Sequence, residues 1–237
     1  MAKATKGILS TNVLKLIAMA AMVVDHASVI FIGSESTILR AIGRISFPIF
    51  AFLIAEGAIH TKNKPKYALR LLLFGFLSEV PFDMAFQGKY LEFSKQNVFF
   101  TLFLGLMSIY ALQFFRKKRV GFLGLFTTFA FSFAAAYFST DYGFMGVVVI
   151  TLMYLFADAK TDVRYVGFAL ACLATCLVYI YPTKLGVAAS QVYAPLAVIP
   201  LMLYSGKRGR KMNKYVFYLF YPLHILLLHL IKTVMSL

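Results

Sequence analysis

The sequence is built from apolar runs of membrane-crossing length separated by short basic breaks, and this alternation limits the folds open to it. A helical span needs roughly 20 mostly apolar residues. Nine stretches qualify or come close, at about 11–32, 38–59, 67–86, 97–115, 120–138, 143–157, 165–181, 191–204 and 215–233, the sixth and eighth being short. The breaks are abrupt: TKNKPK at 61–66, RKKR at 116–119, PTKLG at 182–186 and GKRGRK at 206–211. Hydrophobic residues make up 61% of the chain and charged ones 14%, whereas charged residues in a soluble domain approach a quarter. The expectation is an all-α, polytopic integral membrane protein with about nine transmembrane helices, residues 1–237 forming a single transmembrane domain.

The net charge is +15, and its placement orients the chain. Cytoplasmic loops collect Lys and Arg. With the N-terminus inside, sixteen of the 24 basic residues fall in cytoplasmic segments and four outside (Lys89, Lys95, Lys184 and Lys232). Lys15, Arg40, Arg44 and Arg70 lie within spans. An N-in, C-out topology follows. A basic excess placed this way is a topogenic signal and argues against nucleic acid as a partner, while leaving cytoplasmic cations able to hold a polyanionic ligand.

Other classes are narrowed by what is missing from the pattern. The basic N-terminus MAKATKGILS runs into the first apolar stretch with no small-residue cleavage site, so a retained first helix is expected rather than a removed signal peptide. Cys172 and Cys176 share a helix face at i, i+4 and read as small core residues. No Cys, His or carboxylate spacing suits a metal. No internal repeat is evident, which weighs against transporters built from duplicated halves.

Ionisable residues inside the spans carry the functional signal, because such groups are costly at membrane depth. MAAMVVDHAS places Asp25 and His26 near the outer end of the first span. His26 is six residues from that end, so about 9 Å below the surface at 1.5 Å per residue. Arg40 and Arg44 enter the second span from the same side, and Glu79 and Asp83 lie near the outer end of the third. Asn97 opens the fourth. This convergence suggests a polar cavity. Neighbours Asp25 and His26 are about 100° apart on a helix and cannot both point at one substrate atom. Asp25 is therefore expected to pair with an arginine, and Arg44 with Asp25 or Glu79. Pro48 removes a backbone donor near Arg44, as happens where a helix bends around a site. Glu56 is a candidate partner of Lys15, and His60 and His229 read as non-functional. In the last span, Tyr221, Pro222 and His224 suggest a second wall of the cavity.

A histidine titrating near neutrality is a natural general base. Nothing resembles a hydrolase nucleophile elbow, and GFLG at 121–124 is no phosphate loop. A base in an apolar cavity, arginines able to hold an anionic group and cationic loops on the opposite face suit group transfer from a phosphate-bearing donor.

At this point a family resemblance enters. LKLIAMAAMVVDH, LRAIGRISFPIFAFLIAEGAIHTKNKPKYALRLLLFGFLSEVPFD and QNVFF resemble the TraX family of bacterial membrane proteins. Its pattern is a first-helix DH, then GR-x-x-FPIF-x-F, T-x-N-x-x-KY-x-x-RL, S-E-x-PFD and N-x-x-F. The resemblance runs in order through residues 12–110. FYLFYPLHILLL is similar to the closing helix of that family and of the acyltransferase-3-like transmembrane acyltransferases. Residues 116–214 resemble the family in hydropathy alone.

The resemblance implies a transmembrane acyltransferase-like domain of the bacterial cytoplasmic membrane. It would move an acetyl group from cytoplasmic acetyl-CoA to an amine or hydroxyl of an extracytoplasmic acceptor, a pilin-like peptide or a glycan. His26 would be the base and Arg44 part of the donor channel's arginine motif. Asp25, Glu79 and Asp83 would be family-pattern residues, the first two grouped with His26 and Arg44 as the catalytic set. The donor's phosphates are assigned to Lys62, Lys64, Lys66 and Arg70 or to the cluster at 207–214. Its arm is assigned to a path past Tyr221 and His224, with Arg44 or Tyr221 at the developing oxyanion. No metal is implied. A transporter or flippase using the buried charges as a pathway, and a non-catalytic membrane assembly subunit, are the competing classes.

Overall fold

A computed structural model describes residues 7–33, 37–179 and 190–235. The architecture is helical, and among the described residues the only β-type pairings are isolated bridges at Leu9–Tyr204 and Gln96–Thr140. In chain order the helices are α1 (Thr11–Ala27), which runs on as a π-helical turn over Ser28–Ile32, α2 (Thr37–Gly43), α3 (Ser46–His60), α4 (Lys64–Phe86), α5 (Val98–Lys117), α6 (Gly121–Tyr137), α7 (Gly143–Phe156), α8 (Thr161–Tyr179), α9 (Val198–Met202) and α10 (Lys214–Met235). Among the described residues, four segments are long and apolar enough to cross a membrane: Thr11–Ile32, Ile38–His60, Val98–Lys117 and Lys214–Met235.

Sequence chemistry explains the breaks. Pro48 has no N–H to offer the carbonyl of Arg44, and its ring crowds that carbonyl. The helix accordingly gives way at Arg44 and Ile45, between α2 and α3. The expected span at 191–204 is not one helix. Pro195 and Pro200 remove donors there, and the segment is a 3-10 turn (Ala194–Ala197) followed by the five-residue α9. Pro81 and Pro222, by contrast, lie inside α4 and α10 without ending them.

The chain divides into two compact units. One comprises Met1–Phe50, Phe76–Glu92 and Tyr179–Leu237, and the other Ala51–Gly75 and Phe93–Val178. In the first, Leu14, Ala18, Phe47, Ile49, Phe82, Leu201 and Ile225 are core residues. Ser46 on α3 donates its hydroxyl to the carbonyl of Ala18 on α1 at 2.9 Å. Leu219, Leu223, Leu227 and Leu230 of α10 are exposed.

In the second unit, α5, α6 and α7 approach through small residues. A Cβ on Gly105 would strike Ile150, and one on Gly124 would strike Leu112. The hydroxyls of Ser108, Thr128 and Thr151 link the three helices through hydrogen bonds of 2.9 Å. Small residues and hydroxyl bridges are how helices associate where hydrocarbon removes any hydrophobic drive. The outer face of α6 carries Phe122, Phe126, Phe129 and Phe133, between 60% and 69% exposed. An apolar stripe of this kind belongs in lipid rather than water. Cys172 is buried in this unit, while the side chain of Cys176 lies outside the described residues.

Candidate functional site

Asp25 and His26 end the first helix, and their side chains engage different helices. Asp25, buried on α1, accepts from Arg40 Nη1 at 2.9 Å and from Arg44 Nη2 in a close ion pair. Arg44 Nε also donates to the carbonyl of Arg40 at 3.4 Å. Both arginines are buried, and one helical turn brings them to a common face of the second span. Gly43 makes this possible, because a Cβ there would run into the Asp25 carboxylate. The sequence predicts one arginine for Asp25; the structure supplies two.

His26, half-buried, turns to α10. Its Nδ1 lies 2.8 Å from Nε2 of His224. The ring planes differ by 7° with centroids 5.0 Å apart, so the rings meet edge to edge in one plane. His224 Nδ1 lies 2.7 Å from the carbonyl of Phe220. A carbonyl only accepts, so that nitrogen carries a proton. In neutral His224 the other nitrogen, Nε2, is then the acceptor, and His26 must donate from Nδ1. His26 Nε2 is left as the basic atom of its ring. Aromatic groups surround the pair: Phe86 and Tyr221 meet the His26 ring edge-on at 5.2 and 6.0 Å, and Phe220 stacks on His224 at 4.7 Å.

Glu79 and Asp83 are buried one turn apart on α4. Asp83 organises the segment after the helix. Its Oδ2 accepts from the backbone N–H of Glu92 at 2.8 Å, and its Oδ1 from Gln87 Nε2 at 3.3 Å. Lys89, outside the spans, pairs with Glu92 in the same turn. Hydrogen bonding to Glu92, with its charge, raises the Lys89 pKa.

Several further predicted residues belong to the second unit. Lys62 and Lys66 are exposed. Lys64 donates to Gln113 and lies 5.0 Å from the ring centre of Tyr110. The guanidinium of Arg70 is 5.7 Å from the ring centre of Tyr67. Glu56 Oε2 lies 3.3 Å from Nε2 of the exposed His60. Asn97 caps α5 through Phe99 N–H and donates to the carbonyl of Gly75 at 2.8 Å, which makes it a helix cap and latch. In the first unit, Lys15 sits 4.4 Å above the ring of Phe217.

The first unit thus gathers His26, His224 and Tyr221 in one cluster and Asp25, Arg40 and Arg44 in another. Gly43 and Phe86 were not singled out from the sequence. The small residue between two arginines in RAIGR is a signal that could have found Gly43; nothing local marks Phe86.

Long helices with lipid-matching faces and ionisable residues gathered inside define a helical membrane protein with an internal polar site. The chain belongs to the TraX family, whose pattern it matches over residues 10–232. That match includes the region 116–214, where motifs alone had little to offer. The chain is 33% identical over 232 residues to "Probable fimbrial assembly protein FimC, serogroup H1" of Dichelobacter nodosus, covering 91% of this chain and 92% of that protein. It is 27% identical over 161 residues to an uncharacterized protein of Rickettsia prowazekii (strain Madrid E), covering 66% and 60%. No solved structure matches.

Proposed function

We propose that the protein is an acetyl-CoA-dependent acetyltransferase of the bacterial cytoplasmic membrane, spanning it about nine times with the N-terminus inside, and that its acceptor is the amino terminus or a hydroxyl of a fimbrial subunit or surface glycan. The observation that carries this reading is the 2.8 Å contact between His26 Nδ1 and His224 Nε2, from which an Nδ1–H tautomer of His26 follows for neutral His224. An imidazole whose Nδ1–H is engaged and whose Nε2 keeps its lone pair is arranged to act as a base. Residence in an aromatic surround strengthens its interaction with whatever proton donor reaches it.

In the reaction, His26 Nε2 takes the proton of the acceptor amine or hydroxyl as that nitrogen or oxygen bonds to the thioester carbonyl carbon. The carbon–sulfur bond then breaks, and His26 returns the proton to the departing thiolate. While His26 is protonated, its Nδ1–H donates to His224 as a cation, and a charge-assisted bond is stronger than the neutral one. The bond therefore favours the transition state over the ground state, which is the requirement for catalysis. Tyr221 stands beside the same ring, and its hydroxyl is assigned to the developing oxyanion. Asp25 acts at one remove, by fixing the two arginines and the end of α1. The relative from Dichelobacter nodosus is named for fimbrial assembly, which favours a pilin-like acceptor over a glycan.

Release of free thiol from acetyl-CoA by the purified protein, with a pilin-like peptide as acceptor and mass spectrometry of its amino terminus, tests the reading. Turnover by wild type that is lost in His26→Ala supports it. A folded wild type that releases no thiol, or a His26→Ala variant with full activity, overturns it.

A further inference from the structure

The GKRGRK loop at 206–211 is held far more firmly than a stretch of surface lysines and arginines requires. Its backbone caps the first helix. The carbonyl of Lys207 accepts from Thr11 N–H at 2.8 Å and from the Thr11 hydroxyl at 3.3 Å. The carbonyl of Arg208 accepts from Asn12 N–H at 3.3 Å, and that of Arg210 from Asn12 Nδ2 at 2.5 Å. Upstream, Leu9 donates to the carbonyl of Leu203, and Ser205 N–H and Oγ both donate to the carbonyl of Leu9 at 2.8 and 2.9 Å. Gly206 and Gly209 adopt φ of 71° and 80°. At Gly209 the close approach is obligatory, since a Cβ would strike the side chain of Ser10.

With the carbonyls committed to α1, the side chains of Lys207, Arg208, Arg210 and Lys211 are exposed. No acidic residue occurs between 203 and 214, or before Asp25. Among the described residues none of these four side chains makes an ion pair. Some loop cations elsewhere have side-chain partners, Lys64 in Gln113, Lys89 in Glu92 and Lys95 in Asp141; what distinguishes 206–211 from the other exposed basic stretches is its backbone, held by the start of α1. A topogenic role needs positive charge but not a fixed backbone. Four like charges held together on a pinned loop repel one another, and a multiply charged anion relieves that repulsion while taking bidentate bonds from the arginines.

We infer that the 206–211 loop is a built phosphate-binding site. Two ligands carry the required chemistry, the phosphate groups of a nucleotide-bearing acyl donor and the headgroup of an anionic phospholipid. The donor extends the acyl-transfer reading and rests on it in that respect. The loop lies at the start of α1 and His26 near its end, fifteen residues on, which is about 22 Å along the helix. A donor anchored by its phosphates at one end would have to present its thioester one helix-length away.

Binding decides the matter independently of turnover. The full chain in nanodiscs of neutral phosphatidylcholine is titrated with coenzyme A, dephospho-coenzyme A and pantetheine. In parallel, its thermal stability is compared between phosphatidylcholine discs and discs containing phosphatidylglycerol. The quadruple K207Q/R208Q/R210Q/K211Q variant removes the charge. Gly209→Ala keeps every charge but displaces the backbone, and K117Q/K118Q/R119Q, at exposed positions with no assigned role, is the control for net charge. If the donor is the ligand, coenzyme A affinity falls about tenfold or more in both loop variants, is unchanged in the control, and is weak for pantetheine in wild type. If the lipid is the ligand, the loop variants lose the stabilisation that phosphatidylglycerol gives wild type. Loop variants that match wild type in both arms overturn the site, and they do so even if thiol release from acetyl-CoA remains intact.

Discussion

The carboxylate of Asp25 rests against the bare Cα of Gly43, one residue before the arginine it binds. The buried ion pair and the close crossing of α1 and α2 are therefore one arrangement. A methyl group at 43 has no room, and overpacking of this kind costs about 1–3 kcal/mol. Gly43→Ala is expected to lower the unfolding midpoint in detergent, and an unchanged midpoint would show that the two helices yield freely.

Charge balance at Asp25 gives a second expectation. Arg44→Gln leaves Asp25 with Arg40, and losing one charged hydrogen bond costs roughly 1.5–3 kcal/mol. Asp25→Asn leaves two buried guanidiniums beside each other without their carboxylate, a loss nearer 3–5 kcal/mol. Denaturation of the single variants and the double D25N/R44Q variant should rank Asp25→Asn below Arg44→Gln. The double variant should lose clearly less stability than the sum of the two single losses.

The histidine pair can be tested through the acceptor atom. His26→Ala is expected to lower thiol release by about 10²–10⁴-fold, the usual range for a general base. His224→Ala removes the group that orients His26 and should lower turnover by about 10–100-fold with little change in KM. His224→Gln restores an acceptor oxygen and should recover part of the loss. Equal activity in all three proteins would mean that the bridge does not position the base.

Asp83 organises a turn, and hydrogen exchange reports on it directly. Asp83→Ala is expected to speed exchange at the Glu92 amide and across 87–92, with α4 itself still protected. Full protection of Glu92 in the variant would contradict the bond.

The proposed topology carries an expectation of its own. Reporter fusions that are active only outside the cytoplasm are expected to be active after Tyr90 and silent after Arg208. Activity at both places would break the nine-span, N-in reading.

Much of this organisation is legible in the sequence, because it depends on local periodicity. Helix positions follow hydropathy, the break before α3 follows Pro48, and an arginine partner for Asp25 follows from the cost of a lone carboxylate. Other features depend on contacts between distant residues. His26 meets His224 across 198 positions, and no spacing rule encodes that. The cap on α1 comes from the 206–211 loop, where the sequence shows only charge. The sequence places the charges near the ends of successive apolar stretches, yet it does not say that Asp25 and His26 serve different helices. The short α9 is a case of proline chemistry overriding apolar content.

The bonds from Thr11 and Asn12 to Lys207, Arg208 and Arg210 also bear on biosynthesis. The opening helix leaves the ribosome with its first amides unsatisfied, and their acceptors are translated 196 to 198 residues later. Until then those amides must rely on water or lipid headgroups at the membrane surface. Completion of α1 is thus postponed until the 206–211 loop has been made, and a nascent chain halted before that loop would carry α1 with a frayed first turn.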